Sequence, residues 1–188
     1  MKKITWKPGA LLSPVPVVLV SCGSKEKPNA FTVAWTGIVN TNPAMLYISV
    51  RPQRYSHKLI SESGEFVVNL VTKDLARKTD ACGVYTGAKM DKFKKFSLTP
   101  LPSSIVSSPL IKESPVNLEC KVEKVISLGT HDMFIAKILA VNVDENLVNE
   151  NGKLELKNAK LIAYSHGDYL ELGRKIGSFG YSVKKKNR

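Results

Sequence analysis

The sequence alternates short apolar runs with segments rich in polar and turn-forming residues, a pattern typical of a mainly β protein. Residues 116–122 alternate apolar and polar side chains, which predicts a strand with one solvent-facing side. The pattern changes phase at 123–125, where we expect a bulge, and residues 133–143 predict a central strand or a dimer-interface strand. Further strands are predicted over residues 15–20, 30–35, 45–50 and 66–71. Such strands with short helices between them favour a small closed barrel.

The predicted helices are few and short. Ser56 has the residue type and position of an N-cap for a helix over residues 57–62 that ends at Gly64. The other segments are predicted, in chain order, as a helix over 72–82 that ends at Gly83, one or two helical turns over 91–96, an extended loop over 99–115 and a polar, hairpin-like excursion over 144–160.

Length and cysteine content favour one compact domain in a reducing compartment. We expect a single domain over residues 1–188, with the basic tail 183–188 frayed. The three cysteines, Cys22, Cys82 and Cys120, form no CxxC pair and have no histidine at ligand spacing, so we expect neither disulfides nor a metal site. We interpret Cys22 and Cys120 as small core residues, and expect a cytoplasmic protein.

The amino-terminal apolar run needs a separate interpretation, because it precedes Cys22 in a way that resembles a lipoprotein signal. Pro14 and Pro16 break any continuous helix there, which argues against secretion. No stretch approaches the length of apolar sequence that a transmembrane helix needs, so we expect no membrane partner.

The formal net charge of +12 is the one compositional feature that favours a nucleic-acid-binding protein. A basic β-barrel protein that binds nucleic acid and holds no small-molecule cofactor is therefore the alternative hypothesis. Against it, aromatic residues are not interleaved with the basic ones, as a surface for single strands requires. Much of the excess lies in residues 89–95 and 184–188, which is typical of a solvated surface and a frayed end. A basic surface also attracts phosphate-bearing nucleotides by long-range steering.

The segment from Asn29 to Leu59 carries the best candidates for binding chemistry. Arg51 follows the predicted strand over 45–50, and Ser56 lies at the predicted start of a helix. The unpaired amides of a helix start favour a phosphate, and a guanidinium can pair with the same group. This combination predicts a site for an anionic aromatic ligand such as flavin mononucleotide (FMN). Further candidates for the phosphate are His57, Lys58 and one of Lys89, Lys92 and Lys94.

Four motifs in a fixed order make the chain resemble a known family. They are N-x-x-T-x-x-W from Asn29, an arginine followed by Ser56-His57, F-V-V-N from Phe66, and H-x-x-F from His131. The chain resembles the flavin reductase-like, FMN-binding split-barrel family, and flavoredoxins in particular, over about residues 9–181. The resemblance implies a six-stranded antiparallel Greek-key barrel, a homodimer, and one non-covalent FMN per subunit near the subunit interface.

The resemblance also implies roles for individual residues. Asn29, Thr32 and the backbone of residues 31–33 are expected along the edge of the flavin ring, with Trp35 as a flat wall. Lys92 is the favoured lysine for the phosphate, and His131 is expected to contact flavin or nicotinamide without acting as acid or base. The expected cofactor-binding residues are Asn29, Phe31, Thr32, Val33, Trp35, Arg51, Ser56, His57, Lys58, Lys92, His131 and Tyr164.

The implied function is that of an FMN-dependent NAD(P)H oxidoreductase. Hydride from NAD(P)H would reach flavin N5, and the electrons would pass to an unidentified acceptor. The sequence does not choose between a reductase that releases reduced flavin and a carrier that keeps it bound. A relative that binds another flavin or a heme as a sensor is a third hypothesis, because one fold hosts many functions.

Overall fold

The computed structural model describes residues 1–183 and is mainly β. The basic residues 184–188, which include most of the tail predicted to be frayed, lie outside the described residues. Among residues 1–183, no helix is both long enough and apolar enough to cross a membrane. The strands are β1 (Val15–Pro16), β2 (Val18–Gly23), β3 (Pro28–Val33), β4 (Thr36–Thr41), β5 (Ala44–Val50), β6 (Glu65–Leu70), β7 (Pro100–Leu101), β8 (Leu110–Ile111), β9 (Val116–Ser127), β10 (Asp132–Val143), β11 (Ile162–Ser165) and β12 (Asp168–Glu171). The α-helices are α1 (Tyr55–Ser63), α2 (Ala76–Val84) and α3 (Lys92–Lys95), and three 3-10 turns lie at Lys73–Leu75, Glu145–Leu147 and Leu156–Ala159.

Seven strands of the described chain form one antiparallel sheet in the order β3-β2-β6-β9-β10-β5-β4. Strand β3, at one edge, contacts β5, next to the other edge, so the sheet curls around its core. The six strands predicted from apolar runs correspond to β2, β3, β5, β6, β9 and β10. The seventh, β4, lies at the other edge and is mostly exposed, and it carries no buried apolar run that the sequence pattern reveals. The prediction of a mainly β, antiparallel architecture is confirmed.

Alternation along β2 supplies two different cores. Val18, Val20 and Cys22 point into the curled sheet, where they pack with residues such as Phe66 and Phe134. The intervening side chains face the opposite side, where α2, α3 and the small sheet β1-β11-β12 cover them. Cys22 and Cys120 are buried in strands as predicted, and Cys82 is buried on α2. Since both faces of β2 are covered, its sequence is almost wholly apolar.

Helix α1 begins differently from the prediction. Arg54 occupies the N-cap position without a side-chain cap, so the assignment of Ser56 as N-cap was wrong. Ser56 instead lies in the first turn with its side chain buried, where its hydroxyl accepts a hydrogen bond from Asn29 Nδ2 at 2.8 Å. The predicted end at Gly64 is confirmed, because Gly64 has φ 68° and its amide donates to the Ile60 carbonyl.

The prediction that α2 ends at Gly83 was also wrong, since the helix continues to Val84. A Cβ on Gly83 would lie 3.2 Å from Thr32 Cβ, so the absence of a side chain lets the helix pack closely on β3. The bulge expected near residue 123 is confirmed, because Ile135 pairs with Lys124 whereas Ala136 pairs with Val122. The segment predicted as an extended loop over 99–115 contains the two-stranded sheet of β7 and β8.

A group of buried polar residues, which we call the loop-anchoring cluster (Asn69, Asn117 and Glu119), fixes this segment to the barrel. The carboxylate of Glu119 accepts hydrogen bonds from three backbone amides, those of residues 104–106, at 2.7–3.0 Å, and from two side chains, Ser104 Oγ and Asn142 Nδ2. Asn69 donates to the Leu19 carbonyl and accepts from the Ile111 amide, both at 3.0 Å. Every polar atom of the Asn69 side chain is therefore paired, and hydrogen bonds as well as apolar contacts hold the loop on the barrel.

Candidate cofactor site

A cavity of about 430 Å³, which we call the main cavity, opens between β3, the ends of β5 and β10, α2 and the β11–β12 hairpin. The curl of the sheet brings residues that are far apart in sequence to one opening. The predicted residues that line it are Phe31, Thr32, Val33, Trp35, Arg51, His131 and Tyr164. Lining residues that the sequence analysis missed include Ser49, Arg54, Asp80, Gly83, Val84 and Tyr169.

Two pairs of aromatic rings form walls of the main cavity. Trp35 packs against His131 with ring centroids 4.5 Å apart and planes inclined by 41°, and 46% of the Trp35 surface is exposed. Tyr164 meets Tyr169 in an edge-to-face contact at 5.3 Å. The Tyr169 hydroxyl donates to Asp80 at 3.2 Å, and burial together with the Asp80 charge raises the pKa of Tyr169 to about 12. The walls therefore offer flat, uncharged surfaces to a planar ring.

The charged lining of the main cavity is mainly positive. Arg51 and Arg54 both reach it, and within residues 1–183 neither makes a salt bridge with a carboxylate. Burial, and next the neighbouring Arg51 charge, lower the pKa of His131, so this imidazole is neutral near pH 7. Two guanidinium groups without carboxylate partners leave donors available for an anion.

Three predicted residues that do not line the main cavity are buried around the Cys22 thiol, and we call them the cavity cluster (Asn29, Ser56 and Lys92). Lys92 is only 3% exposed, and its Nζ donates to the Cys82 carbonyl at 2.7 Å. Burial lowers the pKa of Lys92, and the charge of Arg54 adds to this effect. Each member is close to a residue that lines the main cavity. Asn29 and Ser56 are two residues away in sequence from Phe31 and Arg54, respectively. Lys92 bonds to Cys82, which directly precedes the lining residue Gly83.

The cavity cluster has an unmet hydrogen-bonding capacity. Asn29 Oδ1 is buried and has no partner among residues 1–183, whereas Asn29 Nδ2 bonds to Ser56. Gly87 lies directly over this oxygen, since a Cβ there would be 2.0 Å from it. A buried unpaired acceptor costs stability, and this one can pair only with a hydrogen-bond donor such as a ligand hydroxyl, not with a phosphate anion.

The remaining predicted residues do not line the main cavity. His57 Nε2 bonds to Asp132 Oδ2 at 2.7 Å, and the imidazole packs edge-to-face on Phe134. Lys58 is exposed and pairs with Glu62 one helical turn away. Thr32 lines the cavity, but its hydroxyl donates to the Thr79 carbonyl and only its acceptor capacity is left for a ligand.

Sequence signals existed for some of the residues that were missed. Arg54 lies three residues after Arg51, on the same approach to the helix start, and has the same chemistry. Tyr169 lies in the stretch that the resemblance already singled out for Tyr164. Asp80 gave no signal, because its place in the cavity depends on how α2 docks on β3.

The donors and walls of the main cavity fit FMN. A phosphate would find Arg51 and Arg54, with the cavity cluster adjacent, and a tricyclic ring would find aromatic faces at Trp35 and Tyr164. Among residues 1–183 there is no group of three or more metal-ligating side chains. The arginines and aromatic walls of the main cavity are suited to an anionic, planar organic group.

Comparison with known proteins places the architecture in a class of flavin proteins with a split barrel. Residues 11–173 match the family model described as flavin reductase like domain, so the chain belongs to the flavin reductase-like family. The flavoredoxin of Desulfovibrio vulgaris (Miyazaki F) is similar with a TM-score of 0.90 and 27% identity, covering 97% of this chain and 100% of that one.

Two further relatives extend this comparison. The flavoredoxin from Methanosarcina acetivorans superposes with a TM-score of 0.86 and 29% identity, covering 95% of each chain. An uncharacterized protein of Archaeoglobus fulgidus is 40% identical over 130 residues, which is 69% of this chain and 73% of the relative. The resemblance on which the sequence analysis relied is thereby confirmed.

Proposed function

We propose that this protein is an FMN-dependent oxidoreductase that takes electrons from NAD(P)H. The observation that carries the proposal is the main cavity, which is lined by the aromatic residues Trp35 and Tyr164 and by Arg51 and Arg54, neither of which has a carboxylate partner within residues 1–183. Membership of the flavin reductase-like family supports a flavin-related oxidoreductase activity. The similar flavoredoxins support a flavin as the ligand, and the two arginines of the main cavity favour FMN because it carries a phosphate.

In this proposal the chain's own residues supply binding and electrostatics. Arg51 and Arg54 bind the phosphate, and the cavity cluster offers the Asn29 carbonyl oxygen and the Lys92 ammonium group nearby. Trp35 and the tyrosine pair hold the ring, and neutral His131 adds an uncharged polar contact. Bound FMN supplies the redox chemistry, accepting hydride and passing electrons onward. Whether flavin is released or retained then depends on how many of these contacts form at once.

We further propose that the chain forms a homodimer. The exposed edge strand β4 carries Ile38 and Val39, which are consecutive and 65% and 49% exposed. Contiguous exposed apolar residues on a sheet are typical of an interface with another chain. Sedimentation equilibrium that gives the mass of one chain at micromolar concentration would contradict this proposal.

The test of the phosphate assignment compares two ligands that differ only in the phosphate. FMN and riboflavin are titrated against the wild-type protein and against Arg51→Ala, Arg54→Ala and the double variant, and binding is followed by flavin fluorescence. A hydrogen bond to a charged group contributes about 1.5 to 3 kcal/mol. Each single variant should therefore weaken FMN binding by about tenfold or more and change riboflavin binding by less than about threefold.

Arg77→Ala is the matched control, because Arg77 is exposed on α2 and lies outside the main cavity. It removes the same charge without touching the proposed site. Equal losses in Arg77→Ala and Arg51→Ala would mean that general surface charge attracts FMN. Unchanged FMN binding in the double variant would overturn the phosphate assignment, and a wild-type protein that ignores FMN would overturn the proposed function.

A further inference from the structure

A pair of titratable side chains, His57 and Asp132, joins helix α1 to strand β10 close to the main cavity. His57 Nε2 donates to Asp132 Oδ2 at 2.7 Å, and the two side chains are only 17% and 16% exposed. The hydrogen bond from His57 lowers the pKa of Asp132, so this carboxylate is ionised near pH 7. A hydrogen bond to a carboxylate that is largely shielded from solvent holds its partners more firmly than an exposed surface pair does.

The pair spans the segment that carries both arginines of the main cavity. Asp132 lies opposite Val50 in the ladder between β5 and β10, and Val50 directly precedes Arg51. At the other end of the segment, the His57 amide donates to the Arg54 carbonyl at 2.9 Å. The side-chain bond therefore ties the helix that leaves this segment to the strand that pairs with β5, from which the segment begins.

The segment itself, which we call the arginine turn (residues 51–54), lies on the surface. The Arg54 amide donates to the Arg51 carbonyl at 3.0 Å, which closes the turn, and all four residues are exposed. Arg54 occupies the N-cap position of α1, but its side chain forms no capping hydrogen bond. Exposed arginine side chains lose conformational freedom when they bind a ligand, so their contribution to affinity depends on how firmly the backbone beneath them is held.

We infer that His57 and Asp132 are positioning residues, whose bond fixes the arginine turn on the barrel so that both guanidinium groups reach the phosphate of a ligand in the main cavity. Neither residue lines the cavity, so each acts through the arginines instead of touching the ligand. The sequence analysis expected His57 at the phosphate itself, and this role places it one step away. The inference rests on the proposed function for the identity of the ligand.

The first experiment compares FMN with riboflavin, because only FMN offers a phosphate to the arginines. His57→Phe keeps a ring against Phe134 and removes the hydrogen bond, and Asp132→Ala removes the acceptor. Each variant should weaken FMN binding by about fivefold to tenfold and change riboflavin binding by less than about twofold, as measured by flavin fluorescence. Asp132→Asn, whose amide oxygen still accepts from His57, should recover most of the FMN affinity. Equal losses for the two flavins would overturn the inference, because a merely structural role affects both alike.

Glu123→Ala is the matched control for Asp132→Ala. It removes the same charge from another ion pair, in which Glu123 lies 3.0 Å from Lys137 across strands β9 and β10, outside the main cavity. The ratio of FMN to riboflavin affinity should not change in this control. An equal change in both variants would mean that net charge, and not the position of the arginines, sets the affinity, and would overturn the inference.

A double-mutant cycle tests whether the pair acts through the arginines. In the Arg51→Ala, Arg54→Ala double variant no guanidinium group is left to position. Adding His57→Phe to this variant should therefore weaken FMN binding by less than about twofold further. A further loss as large as that in the wild-type background would overturn the inference.

The second experiment needs no ligand. Hydrogen exchange of the Arg54 amide, followed by NMR, reports how often the arginine turn opens. This exchange should be at least about fivefold faster in His57→Phe and in Asp132→Ala than in the wild type. Exchange of the Gly64 amide, which donates to the Ile60 carbonyl at the other end of α1, should change by less than about twofold, because that end of the helix is not tied by the pair.

The two experiments separate failure of this inference from failure of the proposed function. Unchanged exchange of the Arg54 amide in both variants would overturn the inference, whether or not FMN binds. Faster exchange with unchanged FMN binding would also overturn it, because the pair would then serve the fold alone. If the wild-type protein binds neither flavin, the proposed function fails. Faster exchange confined to the arginine turn would then still support the role of the pair in fixing that turn.

Discussion

Two groups of buried polar residues in this protein differ in how completely their hydrogen bonds are made. In the loop-anchoring cluster, Glu119 accepts five hydrogen bonds and Asn69 uses both ends of its amide. In the cavity cluster, Asn29 Oδ1 has no partner within residues 1–183, and Lys92 is desolvated beside another cation, Arg54. Satisfied groups stabilise the folded chain, whereas an unsatisfied group costs stability and keeps its capacity for another partner. The comparison therefore distinguishes residues that hold the fold from candidates for ligand binding.

The largest expected effect is on stability, from Glu119→Gln. Burial by itself raises the pKa of Glu119, but hydrogen bonds from Ser104, Asn142 and Val106 outweigh it and lower the pKa to about 2. Replacing the carboxylate turns an acceptor of buried amides into a donor, so the free energy of unfolding should fall by about 3 kcal/mol or more. Urea unfolding at neutral pH measures this difference.

The same residue gives a pH dependence of definite sign. Because the pKa in the folded state lies below the ordinary value of 4.5, the ionised Glu119 contributes stability that is fully present above that value. This contribution disappears as the pH falls from about 4.5 towards 2, and Glu119→Gln should lack this part of the acid-induced loss. Glu113→Gln is the control, since Glu113 accepts hydrogen bonds only from Thr99 and is more exposed. Equal acid sensitivity in wild type and Glu119→Gln would contradict the assignment.

The next prediction replaces one asparagine by alanine in each cluster. Asn69→Ala leaves the buried Ile111 amide and Asn117 side chain without their acceptor, and should cost about 3 kcal/mol of stability. Asn29→Ala removes an unpaired acceptor together with a single good bond to Ser56, and should cost about 1 kcal/mol or less.

Ligand binding should show the opposite order for these two variants. Asn29→Ala should weaken FMN binding by about tenfold, and Asn69→Ala should leave FMN affinity unchanged in the fraction that remains folded. Thermal unfolding and flavin fluorescence on the same samples measure both properties. If the two variants lose stability equally, the contrast between the clusters is wrong.

How far the sequence alone could predict the structure depends on burial. Strands such as β2 and β6 were predictable because both faces are buried and the whole run is apolar. The exposed edge strand β4 was not, because no core selects its residues. Ser56 has the residue type of a helix cap, but the non-local bond to Asn29 overrides that local preference.

The candidate site was predictable where it depends on residue type and not where it depends on packing. Trp35, Arg51 and His131, which the sequence analysis named as candidates, all line the main cavity. The burial of Lys92 could not be predicted from the sequence, because most lysines in a run such as residues 92–95 are solvated. Its burial follows from the docking of α3 against β3, which only the folded chain defines.

The smallest expected effect concerns Lys58, which the sequence analysis had placed at the phosphate. In the structure Lys58 is exposed and its Nζ lies 3.8 Å from the Glu62 carboxylate, outside the main cavity. Such surface pairs contribute about 0.5 kcal/mol or less, so Lys58→Ala should leave stability almost unchanged. FMN affinity should change by less than about twofold at physiological ionic strength, because a solvent-exposed charge outside the cavity is screened by water and salt. Lys124→Ala, which removes one exposed charge from β9, provides the baseline. A loss in Lys58→Ala that approaches the loss in Arg51→Ala would mean that helix α1 moves towards the phosphate when FMN binds, and would add Lys58 to the site.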